Sequence, residues 1–274
     1  TGMLEDYDKL EKTVNGFKPD IIIHLAAQAG VRYSLENPRS YINSNIVGTF
    51  NVMETARKHK INHLMMASSS SIYGANLDMP FNEKDKADTQ LTIYSATKKA
   101  NESMAHAYSY LWKIPTTMFR FFTVYGPWGR PDMALFKFVS NIIESKPIDV
   151  FNRGEMYRDF TYVEDLVKSI YLLIKKIPTD TSSITNHNKL SVAPFRIINI
   201  GNSSKVKLLD FIEAIEDVIG KKAIKRYLPM QKGDVLSTYA DTSLLRELIG
   251  HSYQTNIKHG VKSFVNWYRN YYDI

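Results

Sequence analysis

No cysteine occurs anywhere in the 274 residues, so neither a disulfide framework nor a thiolate zinc site is open to this chain. The seven histidines do not fill that gap. His59 and His63 stand four apart, but no carboxylate or third histidine joins them, and the pair is expected on the surface with no metal bound. No apolar run reaches the roughly 18–20 residues that a membrane span needs, and no signal-peptide pattern opens the chain. A cytoplasmic protein without a membrane partner is the expectation. Also missing is a glycine-rich strand–turn–helix. Gly2 and Gly16 do not make a G-x-x-G-x-x-G, the turn whose amides and helix N-terminus receive a pyrophosphate. Basic clustering is scarce too. Lys and Arg total 35 against 28 acidic residues, a net of +7, but they are scattered except for short runs such as Lys221-Lys222 and Lys225-Arg226. That spread argues against nucleic acid and leaves a modest preference for anionic ligands.

What is present is an alternation of short apolar runs with longer helical stretches, the signature of a parallel sheet covered by helices. Residues 20–25 read as a buried strand ending in small residues, 38–59 as a helix, 63–67 as a second strand, 93–112 as a long helix and 116–122 as a third strand. Beyond Gly126-Pro127 the pattern loosens. Residues 131–145 and 161–175 read as helices, 148–160 as extended pieces around a turn, and 178–194 as a polar surface loop. A strand at 196–200, a helix at 207–219 and helices from Ser243 onward complete the chain. The expected fold class is α/β, a doubly wound parallel sheet with a smaller C-terminal lobe. The boundary is placed between 1–126 and 127–274, with some later segments returning to the sheet.

The strongest chemical feature is Tyr94-Ser95-Ala96-Thr97-Lys98. Residues four apart share one helix face. An ammonium held there stabilises a phenolate and brings a phenol from about 10 towards neutrality. Such a tyrosine is a general base at physiological pH. Ser69, 25 positions upstream, ends the strand before this helix. Ligands of doubly wound sheets bind at the carboxyl ends of the strands, so Ser69 and Tyr94 can converge on one hydroxyl.

Six segments extend this pattern: Leu25-Ala26-Ala27-Gln28-Ala29-Gly30-Val31-Arg32, Asn45-Ile46-Val47-Gly48-Thr49, Ser68-Ser69-Ser70-Ser71-Ile72-Tyr73-Gly74, Tyr94 to Lys98, Arg120-Phe121-Phe122-Thr123-Val124-Tyr125-Gly126-Pro127 and Arg158-Asp159-Phe160-Thr161-Tyr162-Val163-Glu164-Asp165. In this order they resemble the extended short-chain dehydrogenases, the NAD-dependent epimerases and dehydratases, over nearly the whole chain. The stretches at 27–34 and 126–133 are most similar to UDP-glucuronate 4-epimerases. The resemblance implies a Rossmann-like domain that here lacks the family's N-terminal glycine-rich segment. It further implies NAD lined by Leu25, Ala26, Ala27, Asn45, Ser68, Tyr94 and Lys98, and a catalytic set of Ser69, Tyr94 and Lys98.

In such enzymes the tyrosine takes the 4-hydroxyl proton as a hydride leaves C4, giving a 4-keto sugar. Related dehydratases and decarboxylases carry acids beside the serine, where this chain has Ser70, Ser71 and Ile72. That favours epimerisation, which needs no further acid. For a uronate substrate, Arg32 and Arg130 can grip the carboxylate by charge-assisted hydrogen bonds, with Ser70, Ser71 and Thr123 as neutral donors. By resemblance Arg158 meets the UDP phosphates, and Gln231 and Asp234 the ribose or uracil. A homodimer through the helices at 38–59 and 93–112 and a place in polysaccharide synthesis are also implied. Three alternatives stay open: an inactive fragment or non-catalytic nucleotide-sugar binder, a UDP-glucose/galactose 4-epimerase, or a related dehydratase or decarboxylase.

Overall fold

In chain order the strands are β1 (Ile21–His24), β2 (His63–Ala67), β3 (Thr116–Phe121), β4 (Thr123–Tyr125), β5 (Ile148–Phe151), β6 (Tyr157–Tyr162), β7 (Phe195–Ile200), β8 (Lys205–Lys207) and β9 (Lys225–Leu228). The helices are α1 (Tyr7–Phe17), α2 (Tyr33–Glu36), α3 (Pro38–Tyr41), α4 (Gly48–Lys58), α5 (Ile93–Trp112), α6 (Ala134–Ile143), α7 (Val163–Ile174), α8 (Leu208–Ile219), α9 (Ser243–Ile249) and α10 (Ile257–Tyr272). This computed structural model describes residues 1–179, 192–231 and 233–274, so most of the expected loop at 178–194 lies outside the described residues. Among the described residues no helix is long and apolar enough to cross a membrane.

The chain divides into two units. The first comprises Thr1–Leu77, Glu83–Phe121 and Leu172–Asn199; the second comprises Asp78–Asn82, Phe122–Tyr171 and Ile200–Ile274.

The first unit is an α/β layer structure with the strand order β1-β2-β3-β7. β1 pairs with β2 and β2 with β3, both in parallel. His63, Leu64, Met65 and Met66 are all buried, as expected of a strand covered on both faces. Met53 from α4, Ala105 from α5, Met118 from β3 and Leu64 meet in one core cluster. Each large apolar side chain buried there contributes roughly 1.5–3 kcal/mol. The expectation of a buried strand at 20–25 needs correction. β1 is the edge of the described sheet, and Ile23 and Leu25 are 38% and 49% exposed. The helix expected over 38–59 forms as α3 and α4 joined by a π-helical stretch at Ile42–Val47. Such wide turns are frequent at functional sites, and the buried residue of this one is Asn45.

The second unit holds β4-β6-β8 and the parallel pair β5-β9. Its core joins Phe138 and Val139 of α6, Phe160 of β6, Phe211 and Ile215 of α8 and Phe264 of α10. The basic runs are tied down. Lys222 and Lys225 both pair with Glu216, and Arg226 pairs with Asp149. The strands β4, β8 and β9 have no counterpart in the sequence reading, and the helix expected from 131 begins only at Ala134, because residues 130–133 form a turn closed by Met133 N–H on Arg130 O.

His63 is not on the surface; it is fully buried. Nδ1 faces the Ile174 carbonyl at 3.3 Å and Nε2 faces Thr117 Oγ1 at 2.9 Å, so the neutral Nδ1–H tautomer satisfies both. Burial lowers its pKa to about 4, and burial followed by the Lys98 charge lowers that of His24 to about 4. Between pH 6.5 and 4 the unfolded chain therefore binds more protons at these two sites, so stability falls as pH falls, by roughly 3 kcal/mol per histidine. Asp159, raised to about 6 by burial, works in the opposite direction between 6 and 3.8 and offsets one histidine. The urea midpoint is expected to drop by a net ~3 kcal/mol equivalent from pH 7 to 4. A midpoint that stays level across that window would show that the histidines protonate in the folded state.

Candidate active site

The long helix α5 begins with a reciprocal cap. Thr92 Oγ1 accepts from Ser95 N–H at 3.2 Å, and Thr92 N–H donates to Ser95 Oγ at 3.2 Å. The cap fixes the helical phase two residues before Tyr94. One turn on, Lys98 lies almost completely buried and its Nζ donates to the Ala67 carbonyl at 2.9 Å. Burial lowers its pKa to about 8, which leaves the ammonium charged at neutral pH. A further turn on, Glu102 accepts from Ser68 Oγ at 2.7 Å. Helix α5 thus holds two successive residues at the carboxyl end of β2, one through a lysine and one through a glutamate.

Glu102 is itself fixed by Arg120 of β3, whose Nε and one Nη donate to its two oxygens at 2.9 Å each. The other Nη of Arg120 reaches Tyr73 Oη at 3.0 Å and the Glu83 carbonyl at 3.2 Å. Tyr73 Oη in turn donates to Asn199 Oδ1 at 2.7 Å. This polar network lies beneath the serine run and sets its path. Gly74 closes the run at φ +57°, where a Cβ would stand 2.0 Å from the Thr89 carbonyl oxygen, so only glycine fits.

Ser69 caps the short turn Ser70–Tyr73. Its Oγ accepts from Ser71 N–H at 3.2 Å and from Ser71 Oγ at 3.0 Å. With both acceptor positions filled, the Ser69 hydroxyl presents its proton as a donor. Ser70 and Ser71 are half-buried in the same turn. Leu25, Ala26 and Ala27 follow the neighbouring strand β1, with Leu25 and Ala26 exposed and Ala27 half-buried. Asn45 Oδ1 accepts from Gln28 N–H at 2.8 Å, while Nδ2 donates to Gln28 O at 3.0 Å and Thr97 Oγ1 at 3.1 Å. Asn45 therefore ties the segment after β1 to α5. Tyr41 stands edge-on to Tyr94, with ring centroids 6.1 Å apart. Arg32 is exposed at the start of α2.

The remaining expected site residues belong to the second unit. Thr123 opens β4, and Arg130 sits in the 130–133 turn, where it pairs with Asp132. Arg158, in β6, donates through Nη1 to the carbonyls of Tyr157 at 2.8 Å and Leu236 at 3.3 Å. Asp234 N–H donates to Gln231 O at 3.3 Å, and Gln231 Oε1 is buried with no hydrogen-bond partner among the described residues. Leu236 thus lies beside Arg158. Asn152, Arg153, Tyr227, Leu228, Pro229 and Met230 line a cleft of about 550 Å³. It lies beyond the carboxyl ends of the parallel pair β5 and β9, where α/β proteins place ligands. Sequence reasoning missed this cleft and missed Glu102, whose one available signal was its position four residues after Lys98.

The sequence profile of the NAD dependent epimerase/dehydratase family matches residues 1–200. A probable UDP-glucuronate 4-epimerase from Rhizobium meliloti (strain 1021) is 50% identical over 272 residues, 98% of this chain and 80% of the relative. The chain belongs to the NAD-dependent epimerase/dehydratase family. Protein CapI of Staphylococcus aureus is 52% identical over 98% of this chain and 81% of its own length. Among solved structures, the UDP-glucuronic acid 4-epimerase from Bacillus cereus, in complex with UDP-glucuronic acid and NAD, superposes with a TM-score of 0.87 at 29% identity, covering 99% of this chain and 81% of that one.

Membership in an NAD-dependent epimerase/dehydratase family asks whether the chain can hold part of a dinucleotide, and Lys98 answers on its own geometry. Its ammonium has three N–H donors and, among the described residues, one protein acceptor, Ala67 O, in a nearly water-free position. Two unfilled donors there suit the vicinal hydroxyls of a ribose.

Proposed function

We propose that this chain is an NAD-dependent 4-epimerase interconverting UDP-glucuronate and UDP-galacturonate. The observation that carries the reading is the end of β2. Ser69 offers a proton, buried Lys98 keeps two donors unfilled among the described residues one turn from Tyr94, and no acid stands between Ser69 and Tyr73. Lys98 would hold the nicotinamide ribose, with Leu25, Ala26 and Ala27 lining the cofactor, Ser68 anchoring the strand end and Asn45 acting through the Gln28 backbone it binds. When bound, NAD supplies the acceptor and donor of hydride at the sugar C4.

The chain's own groups handle the proton. Tyr94 Oη takes it from the sugar O4 while the Lys98 charge stabilises the phenolate, and Ser69 donates a hydrogen bond to the same oxygen. After the 4-keto sugar has turned over, Tyr94 returns the proton on inversion. With no acid beside Ser69, neither C5 deprotonation nor loss of a C6 hydroxyl has a group to perform it.

Arg130 would grip the uronate carboxylate, with Ser70, Ser71, Thr123 and Arg32 as further donors. A 4-keto uronate is a β-keto acid, so holding its carboxylate also suppresses loss of CO₂. Arg158 would meet the diphosphate. The cleft at Tyr227 and Met230 would take the uracil, with Gln231 Oε1 and Asp234 receiving ribose hydroxyls. The division of labour is a cofactor domain at 1–126 and a mainly substrate-binding lobe at 127–274, from which segments such as β7 return to the sheet of the cofactor domain.

A cytoplasmic homodimer serving polysaccharide synthesis completes the proposal. The exposed Val47 and Phe50 on the segment 42–58, and Tyr110, Leu111 and Trp112 on α5, leave apolar surface on both segments expected to pair, which favours association. The purified enzyme, incubated with NAD and UDP-glucuronate and followed by product separation, is expected to yield UDP-galacturonate and to sediment as a dimer. Arg130→Met is expected to lower uronate turnover about 10–100-fold, the worth of a charge-assisted bidentate contact, with little effect on UDP-glucose. A pentose product would sink the epimerase reading, and an indifferent Arg130→Met would sink the carboxylate grip.

A further inference from the structure

The guanidinium of Arg130 has five N–H donors on two usable edges. One edge is filled. Nε donates to Asp132 Oδ1 at 3.0 Å and one Nη to Asp132 Oδ2 at 2.8 Å, a bidentate pair, and the same Nη reaches Met133 Sδ at 3.5 Å. The other Nη makes no hydrogen bond among the described residues. A second oxyanion can therefore be received end-on without displacing Asp132, at the cost of only the long contact to Met133 Sδ, a weak acceptor.

The pair is built on a short, constrained turn. It spans Pro131, whose ring fixes φ, and Met133 N–H closes on Arg130 O at 3.1 Å. Gly129 N–H closes the preceding turn on Gly126 O at 3.1 Å. Trp128 enters it at φ 63° with its ring against Trp267 and Tyr271, at centroid distances of 5.3 and 5.4 Å. Arg130 and Asp132 are 42% and 58% exposed, and a pair in that much water does little for folding. Its effect lies elsewhere. A free arginine must surrender side-chain freedom when it grips a ligand, and Asp132 has already removed much of that freedom.

We propose that Asp132 is a positioning residue for uronate recognition: it holds the side edge of Arg130 so that the end edge stands ready for the substrate carboxylate. This rests on the reading of Arg130 as the carboxylate grip. The opposite arrangement, in which Asp132 is a stand-in that substrate must displace, predicts the opposite sign.

Asp132→Asn and Asp132→Ala, assayed as full chains with NAD, are expected to raise the KM for UDP-glucuronate about three- to fivefold. The kcat is expected to stay constant, as is the inhibition constant of UDP-glucose, which has no carboxylate. Asp132→Glu is expected to restore part of the loss. A merely structural role would move both sugars together and lower the thermal midpoint, and that result overturns the proposal. So does a KM that is unchanged or lower. The two readings separate cleanly: an Arg130→Met enzyme with normal uronate turnover removes the grip itself, whereas a crippled Arg130→Met beside a normal Asp132→Asn removes only the role of Asp132.

Discussion

A Tyr94→Phe enzyme is expected to lose about 10²–10⁴-fold in kcat on UDP-glucuronate, the usual worth of a positioned proton-transfer group. The change removes one oxygen from a half-buried ring whose surroundings are set by other residues. The Thr92–Ser95 cap still fixes the phase of α5, Lys98 still binds Ala67 O, and Tyr41 still meets the ring edge-on. Affinity for NAD and for the UDP-sugar is therefore expected to hold within a few fold. Tryptophan fluorescence quenching measures it alongside turnover. The discriminating feature is the split between kcat and binding. If the variant binds normally and still turns over within tenfold of the parent, Tyr94 is not the base, and Ser69 becomes the first group to examine. If binding collapses with activity, the phenol acts in assembling the site rather than in moving the proton.

The Tyr94–Lys98 pair was legible because its spacing is a helix repeat and its chemistry needs no distant partner. The strands β2 and β3 and the helices between them were legible as an alternation of short extended runs with helical stretches, which gave the α/β class, while the family came from the resemblance of six motif segments. What escaped has a common cause. Glu102 and Arg120 meet across 18 residues, and no local pattern announces that a glutamate and an arginine will be buried together. The cleft beyond β5 and β9 forms from strands paired in the register Ile148↔Lys225, one of them with an irregular, half-exposed face. His63 looked like a surface residue by composition, yet a hydroxyl and a carbonyl let it stay neutral inside. The edge position of β1 was likewise invisible, because an isoleucine run reads the same in the middle of a sheet as at its margin. Tertiary pairing decided each of these, and periodicity carries no trace of it.

The pair beneath Ser68 sets the second large expectation. Glu102 and Arg120 are each about 2% exposed as side chains. Burial works against the Arg120 charge, but hydrogen bonds and charge from Glu102 and Tyr73 hold its pKa above the ordinary arginine value. Removing one partner strands the other charge in a low-dielectric interior, so Glu102→Leu and Arg120→Met are each expected to destabilise the fold by about 3–5 kcal/mol. Against a typical total of 5–15 kcal/mol this is a large fraction. The double variant Glu102→Leu/Arg120→Met leaves no charge stranded, and its loss is expected to be smaller than either single loss, roughly 0–2 kcal/mol, because apolar replacements of a buried pair are often near neutral. Urea denaturation of the four proteins gives the coupling directly, and additive losses would mean that water or Glu83 shields the survivor. The refolded double variant then answers a second question. It lacks the acceptor that anchors Ser68 Oγ at 2.7 Å while Lys98 still holds Ala67. A stable protein with reduced kcat and unchanged KM would show that the ion pair acts on catalysis through the serine turn. Full activity would show that Lys98 alone is enough to hold the end of β2 in place.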